Sequence, residues 1–275
     1  MTIVRTRKEF WGRGPASREL GGFSFHLLDA NSPEEEVERH THEEAHFVLA
    51  LSGGYMSSAS GAPLVSQVPL LIFNPAGTTH VDRFHQGRGK FLAISGGHDE
   101  GEAVSITDPY ALWTAHRIAA DFMDASSLPL RLEARALQLI ASVRSPDADD
   151  RCAAAGGPPA WLKSVFEMSF TSGSVDLKVA DLAAHAGVHP VHLARVFRHY
   201  LHCSPGEYLR GRRLERAAAL IGRTTASLAH VALETGFVDQ AHLTRQFRSA
   251  LRSTPACWRR QRQVSSIQDE RLSKL

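Results

Sequence analysis

A chain of 275 residues with 43% hydrophobic residues is long enough for two domains of ordinary size, each with its own core. No uninterrupted apolar run approaches the ~18 residues needed to cross a bilayer, so the sequence predicts no membrane-spanning helix. The three cysteines, Cys152, Cys203 and Cys257, are scattered and include no Cys-x-x-Cys pair, which argues against a disulfide framework and against a zinc finger.

The N-terminal residues 1–8 are basic, but no apolar segment follows them, so they lack the pattern of a secretory signal. Together with the cysteine pattern, this favours a cytosolic protein without a membrane partner.

The net charge of +2 hides an asymmetry between the two halves. Residues 160–275 hold 17 Lys and Arg against 9 Asp and Glu, whereas residues 1–159 hold 14 against 20. The C-terminal half therefore carries the positive charge that binding to nucleic acid phosphates requires.

The first recognisable elements are short strands. Between residue 22 and about residue 95, apolar segments beginning at Phe23, Ala45, Leu70 and Lys90 alternate with glycine-containing turns. This pattern predicts a small β-barrel or sandwich.

Four histidines in this β region have the spacing of a ligand site. His40 and His42 project from the same face of an extended strand, and His46 shares their parity if the strand is continuous. His80 ends the segment Pro75-Ala-Gly-Thr-Thr-His80. Neutral imidazole is a good ligand for Zn, Fe, Ni or Cu, so the four side chains could converge on a divalent transition metal.

The segments His40–His46 and Pro75–His80 resemble the two motifs of the cupin fold, His-x-His followed by Glu and Pro-x-Gly-x2-His, although His46 stands where Glu is usual. The resemblance implies a cupin-like barrel over residues 1–107 that senses a metal or a small-molecule effector. Three interpretations stay open: the histidines bind a metal, contact an organic effector without metal, or are structural or surface residues.

The pattern becomes helical between Pro109 and Val143, with a break at residues 126–129, and so predicts two helices. Their apolar positions (Leu112, Ile118, Phe122, Leu132, Leu137 and Ile140) exceed what one face against a small barrel needs. The segment 108–144 is therefore predicted to mediate dimerisation. Residues 145–160, first charged and then rich in Ala, Gly and Pro, form the predicted linker.

The most informative feature is an internal repeat. Leu182–Arg198 recurs as Val231–Arg248, with one residue inserted after the turn. The matched pairs are Ala183 and Ala232, Gly187 and Gly236, His192 and His242, Leu193 and Leu243, Arg195 and Arg245, Phe197 and Phe247, Arg198 and Arg248, and Pro205 and Pro255. Each copy predicts a helix, a glycine turn and a second helix that buries a Leu-x3-Phe face. The chain thus carries two helix-turn-helix motifs, at residues 177–200 and 227–251.

These residues, with the connecting segment Pro205–Ile221 and the pairs Gly236-Phe237 and Thr254-Pro255, resemble the DNA-binding domain of the AraC/XylS family of transcription regulators. That family joins two helix-turn-helix motifs by a long helix. The resemblance implies such a domain over residues 161–262. A helical bundle that binds no DNA is the alternative, but two motifs in register with a matching linker do not arise easily.

The predicted fold is a multidomain β + α chain. An N-terminal cupin-like β-barrel with a helical dimerisation segment precedes a C-terminal all-α domain with two helix-turn-helix motifs.

The second helix of each motif is expected to enter the major groove of double-stranded DNA by its N-terminal turns. Arg195 and Arg245 suit guanine and Gln240 suits adenine, but each arginine could instead clamp a phosphate or form a surface salt bridge. Other basic residues, such as Arg259, are expected to contact phosphates or solvent. The predicted contact set is Pro190, Val191, His192, Ala194, Arg195, Arg198, Gln240, Ala241, His242, Thr244, Arg245 and Arg248.

The sequence therefore predicts a one-component transcription regulator, a homodimer in which effector or metal binding changes how the sensing domain holds the DNA-binding domain. The regulator would then recruit RNA polymerase, as an activator, or block it. One alternative is a metal-dependent cupin oxygenase or isomerase fused to a DNA-binding module, but no general base or other catalytic residue is identified. Another is an architectural DNA binder that needs no effector.

Overall fold

The structure, a computed structural model, describes residues 3–5, 10, 12–30, 37–58, 65–66, 69–84, 87–97, 104–124, 126–144, 156–171, 177–251 and 253–260. Strands occupy the N-terminal part and helices the rest. Among the helices of these ranges, none combines the length and hydropathy needed to span a bilayer. Most of the predicted linker, residues 145–155, lies outside the described residues.

The described strands form three sheets. The strands are β1 (Ile3–Arg5), β2 (Arg13–Leu20), β3 (Phe23–Ala30), β4 (His40–His42), β5 (His46–Ser52), β6 (Tyr55–Ser57), β7 (Leu70–Asn74), β8 (Thr79–His80), β9 (Asp82–Phe84), β10 (Gly89–Ser95) and β11 (Val104–Ile106). A six-stranded sheet has the order β11-β7-β5-β10-β3-β2, a three-stranded sheet the order β1-β4-β8, and β6 pairs with β9. Only the β1–β4 pair among these is parallel.

Both faces of the six-stranded sheet are buried. In β3, Phe25 and Leu27 belong to the core shared with the helices, whereas Leu28 belongs to a second core on the opposite face. β5 alternates in the same way, with Leu49 on the helical side and Val48 on the other. Because each face is covered, these strands appear in the sequence as continuous apolar runs rather than as alternating polar and apolar residues.

Two helices cover one face of this sheet. They are α1 (Pro109–Met123) and α2 (Pro129–Arg144), separated at the predicted break. The side chain of Asp108 caps α1 by accepting a hydrogen bond from the Ala111 N–H at 2.8 Å. Of the apolar positions predicted in this segment, Leu137 is 55% exposed and the other five are buried within the chain. The apolar surface left for a partner is therefore smaller than the sequence suggests.

The C-terminal part consists of helices and short turns. They are α3 (Trp161–Thr171), α4 (Val179–His185), α5 (Pro190–Leu201), α6 (Pro205–Arg223), α7 (Leu228–Glu234) and α8 (Gln240–Leu251), and residues 255–260 are also helical. A capping box between Ser204 and Glu207 starts the connecting helix α6.

The sequence repeat is present in the backbone. Gly187 and Gly236 have φ values of +65° and +82°, the left-handed conformation that glycine adopts without strain. In the first hairpin, α4–α5, the Val188 N–H donates to the Ala183 carbonyl at 3.0 Å. In the second, α7–α8, the Phe237 N–H donates to the Ala232 carbonyl at 2.9 Å. The two hairpins therefore turn in the same way, as the repeat predicts.

The strand-rich part and the helical part contact each other directly. One hydrophobic core continues from the six-stranded sheet through α1 and α2 into α3 to α6. Across this boundary the rings of Trp113 and Tyr200 lie 6.0 Å apart. The hydroxyl of Ser66 also donates to a carboxylate oxygen of Glu215 on α6. A third core unites Met56 with apolar residues of α6 to α8.

Candidate metal centre and nucleic-acid interface

The local pairing of β4 and β8 brings three histidines together. In this antiparallel pair His40 lies directly opposite His80, and the hydroxyl groups of Thr41 and Thr79 meet at 2.7 Å. The preceding turn has Gly77 at φ +77°, and its N–H donates to the His42 carbonyl at 2.9 Å. The turn in the Pro75–His80 segment therefore folds His80 against β4.

His46 reaches this cluster by a different route from the predicted one. β4 ends at His42 and β5 begins at His46 in another sheet, so the continuous strand on which the parity of His46 depended is not formed. The His46 ring nevertheless lies 4.3 Å from that of His42 and 5.7 Å from that of His80. Its Nδ1 donates to the Glu44 carbonyl at 3.3 Å, and its Nε2 lies 3.2 Å from Asn74 Nδ2. Because the amide uses the Nε2 lone pair, His46 is the least suited of the four to bind a metal.

His40, His42 and His80 have the arrangement of a ligand set. Their donor atoms lie within 4.8 Å of one another, and each residue is at most 3% exposed. The Nδ1 of His40 donates to the Glu38 carbonyl at 2.9 Å, which fixes the proton there and leaves Nε2 as the basic nitrogen. The Nδ1 of His80 is buried and has no hydrogen-bond partner among the described residues.

These three side chains fit a transition metal. Bonds of ~2.0–2.1 Å from a metal to imidazole nitrogen would place two donors at most ~4.2 Å apart, so the rings must move inward by several tenths of an ångström. Asp82 Oδ2 lies 3.5 Å from His80 Nε2, in the place of a carboxylate that orients a metal-binding histidine. The Ser57 hydroxyl donates to the other Asp82 oxygen at 2.5 Å.

The aromatic ring of Phe10 covers part of the cluster. The Phe10 ring stacks on His42 at 4.9 Å and contacts His46 edge-on at 5.4 Å. The cavity that remains beside His40, His42 and Tyr55 has a volume of about 30 Å³. Burial, and then the nearby His80, lower the pKa of His46 to about 4, so its ring is neutral at pH 7.

Sequence reasoning missed several residues of this site. Asp82 has a weak signal, since it follows His80 at the two-residue spacing that places side chains on one face of a strand. Phe10, Asn74 and Ser57 have none, because only the tertiary structure brings them here. Glu43, which the cupin motif would make a candidate, is exposed.

The first candidate DNA-reading surface is the N-terminal part of α5. The helix begins with Pro190 after His189, whose Nδ1 accepts a hydrogen bond from the Val191 N–H at 3.3 Å. Leu193 and Phe197 are fully buried, as the Leu-x3-Phe spacing predicts. The predicted contact residues are exposed except Ala194, which is half-buried: Pro190, Val191, His192, Ala194, Arg195 and Arg198.

The second candidate surface is the equivalent part of α8. Asp239 caps this helix, because its carboxylate accepts a hydrogen bond from the His242 N–H at 2.6 Å. The His242 ring packs edge-on against Phe237 at 5.4 Å, and the Thr244 hydroxyl donates to the Gln240 carbonyl at 2.8 Å. Gln240, Ala241, Arg245 and Arg248 are exposed, while His242 and Thr244 are half-buried.

Some basic residues of the helical part serve the fold. Arg259 donates to the carbonyls of Ile221 and Ala226, at 3.4 and 2.6 Å, and is half-buried, so part of its guanidinium stabilises the helical part. Arg212 pairs with Glu215 at 2.6 Å.

Comparison with known proteins identifies the helical part. The helix-turn-helix domain family matches residues 182–261. The probable transcription factor PqrA of Proteus vulgaris is 37% identical over 83 residues, which are 30% of this chain and 68% of PqrA. This chain belongs to the AraC family of transcription regulators. The AraC-family protein is accordingly a DNA-binding transcription regulator.

Other similarities lie in the same region. The transcriptional regulator Rob of Salmonella typhimurium is 33% identical over 91 residues, which are 33% of this chain and only 32% of Rob. A solved AraC-type regulator from Chromobacterium violaceum is 30% identical with a TM-score of 0.34, over 37% of this chain and 90% of that one. The DNA-binding domain of AdpA, solved with a target DNA, is 26% identical with a TM-score of 0.36, over 38% of this chain and 94% of that domain.

Proposed function

We propose that this AraC-family protein is a one-component regulator whose DNA binding responds to a divalent transition metal held by His40, His42 and His80 in a cupin-like N-terminal domain. The observation that carries the proposal is the convergence of three buried imidazole donors within 4.8 Å, one with an unpartnered Nδ1 among the described residues. A bound ion would link β4, which carries His40 and His42, to β8, which carries His80.

The size of the cavity favours a metal over direct effector contact. About 30 Å³ accommodates an ion or a water molecule, whereas pockets for drug-sized ligands measure ~300–1,000 Å³. The same comparison disfavours a metal-dependent enzyme acting on an organic substrate at these histidines. We therefore propose a regulatory and not a catalytic role for the N-terminal domain.

A continuous series of contacts supports communication with DNA. Asp82, beside His80, accepts from Ser57 at the end of β6. At the start of β6, Tyr55 exchanges two backbone hydrogen bonds with Ser66, at 3.0 and 2.7 Å. The hydroxyl of Ser66 then donates to Glu215 on α6, the helix between the two DNA-reading hairpins. Movement of His80 on metal binding would thus be transmitted to α6.

The described contacts between α1 and α5 leave the reading surface open. They involve Tyr200 and His202, at the C-terminal end of α5 and away from Val191 and Arg195. The N-terminal turns of both reading helices are exposed, which supports binding to double-stranded DNA through them. We propose that the DNA-bound protein then recruits or blocks RNA polymerase.

An exposed stripe on α2 supports a homodimer. Leu130 is 73% exposed and Leu137, seven residues later, is 55% exposed, and Ala141 continues the same face. We propose that a second copy covers this stripe. Leu137→Glu should shift the full-length protein toward monomer in sedimentation. Leu233→Glu, at an exposed leucine of α7, should not. A wild-type monomer at high micromolar concentration would contradict the proposal.

The decisive experiment is metal reconstitution of the full-length protein after chelation. Wild type should bind one ion per chain, and its affinity for operator DNA should change on loading. The double variant His40→Ala/His80→Ala should bind no metal and show no change, whereas His185→Ala, at an exposed histidine on α4, should match wild type. Occupancy should fall as the pH drops, because protons compete with the metal for the imidazole nitrogens. Equal metal content in the double variant and wild type would exclude this site.

A further inference from the structure

A second cavity lies between α1 and α2 and shares no residue with the histidine cluster. Its volume is about 210 Å³. It is lined by Tyr110, Trp113, Thr114 and Arg117 from α1 and by Arg131, Ala134, Arg135 and Gln138 from α2. The α1 residues follow a spacing of three, one and three, which places them on one face of the helix toward α2.

The charge of this cavity is positive. Asp121 offsets part of it by pairing with Arg135 at 2.8 Å and with Arg131 at 3.9 Å. Arg117 makes no ion pair within the described ranges, and its guanidinium is held over the Trp113 ring at 4.8 Å. Burial, and then the positive charge of Arg117, lower the pKa of Arg135. Two carboxylates, Asp121 and the exposed Asp124 that interacts with Arg131, thus oppose three guanidinium groups. An anionic ligand would offset the remaining positive charge.

Thr114 provides an independent indication of a ligand. The residue is 2% exposed and lines the cavity, and its hydroxyl has no hydrogen-bond partner in the described part of the chain. Buried hydroxyl groups are normally hydrogen-bonded, since an unpaired one loses its interaction with water without replacement. A ligand oxygen in the cavity would accept this hydrogen bond.

We propose that the α1–α2 cavity binds a small organic carboxylate with a flat apolar body. Arginine recognises carboxylates through parallel N–H donors, and the Thr114 hydroxyl supplies a further donor. Tyr110 and Trp113, whose ring centroids are 5.6 Å apart, provide the aromatic wall for the body of the ligand. The volume, below the usual range for drug-sized ligands, selects a small molecule.

The position of the cavity connects it to DNA recognition. Trp113 is both a wall of the cavity and the α1 residue that packs on Tyr200 of the first reading helix. A ligand in the cavity would hold the Trp113 ring in place and so fix the surface on which Tyr200 of α5 packs. This would be an input separate from the histidine cluster.

The test is calorimetric titration of the full-length protein with phenylacetate, with its neutral isostere phenylacetamide and with inorganic phosphate. Phenylacetate should bind once per chain, and the amide and phosphate at least 10-fold more weakly. Arg117→Gln and Thr114→Val should each weaken phenylacetate binding at least 10-fold. Arg144→Gln, at an exposed arginine on α2 outside the cavity, should leave it unchanged.

Several results would overturn the proposal: no phenylacetate binding up to its solubility limit, equal binding of the amide or of phosphate, or unchanged affinity in both cavity variants. Arg117 is exposed, so its variant remains informative even if Thr114→Val unfolds. Each titration is run on chelated and on metal-loaded protein. Failure here leaves the metal content of His40, His42 and His80 unaffected, so the two proposals fail separately.

Discussion

The carboxylate of Asp82 lies beside the imidazole of His80 and could orient it toward a metal. This carboxylate is partly buried, lies 3.5 Å from His80 Nε2 and is itself held by Ser57. Because such a partner orients the ring and raises its basicity, Asp82→Asn should weaken metal binding by ~10–100-fold. Competition with a calibrated chelator measures the change. Asp29→Asn, at an exposed ion pair with Lys90, is the matched control, and equal affinities in the two variants would contradict this role.

Arg195 and Arg245 hold equivalent exposed positions on the two reading helices. If each takes a guanine bidentately, alanine at either position should cost ~1–3 kcal/mol of specific DNA binding. Fluorescence anisotropy at fixed salt is measured on operator and on scrambled DNA. Loss of a phosphate contact would weaken binding to the two DNAs equally, whereas loss of a base contact would weaken binding to the operator alone. Arg210→Ala, exposed on α6, is the control. Unchanged operator affinity in both arginine variants would remove them from the interface.

The sequence indicated the histidines of the site but not their surroundings. His40 and His42 are recognisable because strand geometry alone places them on one face, and the Gly77 turn explains His80. His46 does lie in the histidine cluster, but not through the strand parity that singled it out, since it belongs to a different sheet. Asn74 and Phe10 determine what His46 can do, and no local pattern marks residues that meet only through tertiary packing.

The turn of each repeated hairpin requires a residue with positive φ, and Gly187 and Gly236 supply it. Alanine at Gly187 or Gly236 must adopt a positive φ, so each variant should lose more than ~1 kcal/mol of stability. Gly206, on α6, has no positive φ, and a Cβ there meets only the end of the Arg210 side chain at 3.4 Å. Gly206→Ala should therefore be neutral or stabilising in urea denaturation. Equal losses in all three variants would contradict the argument.

Protonation should weaken the contact between α1 and α5. The Nε2 of His116 is buried beside His202, with His199 behind it, and burial followed by His202 lowers the pKa of His116 to about 3. Below pH ~6.5 His116 is protonated in the unfolded chain, whereas in the native chain it stays neutral until about pH 3. Stability should therefore fall as the pH drops across this window, by at most ~1.4 kcal/mol per pH unit for this group.

His116→Leu should reduce this dependence when unfolding free energies at pH 7 and pH 5 are compared. Some dependence should persist, since the pKa of His46 is lowered in the same direction. His185→Leu, at an exposed histidine, should retain the full slope. An identical slope in His116→Leu would contradict the assignment.

The elements themselves were more predictable than their arrangement. The helical hairpins are predictable because each has apolar residues at helical spacing and a glycine turn. The same pattern occurs in both copies of the repeat, which strengthens the prediction for each. The order of the six-stranded sheet joins β5 to β10 and β3 to β10, pairings between segments far apart in sequence. Local patterns carry no information on such pairings, so the sheet could be predicted as a class but not as a topology.

The proposed communication from His80 to α6 uses the side chain of Ser66 at the boundary of the two halves. Ser66→Ala removes the hydroxyl that reaches Glu215 while leaving the backbone pairing with Tyr55 intact. Metal binding should stay normal, but the change in operator affinity on metal loading should diminish. Ser126→Ala, exposed between α1 and α2, is the control. A full metal response in Ser66→Ala would place the communication elsewhere.

The two reading hairpins, which look equivalent in sequence, belong to different cores. The first shares the core that begins in the six-stranded sheet, whereas the second packs with α6 and with Met56 in a separate cluster. Regions with separate cores open with separate free energies. Backbone amides of α8 are therefore expected to exchange with solvent hydrogen at a different rate from those of α5. If both hairpins contact DNA as proposed, one of them would then be able to release and rebind while the other stays bound.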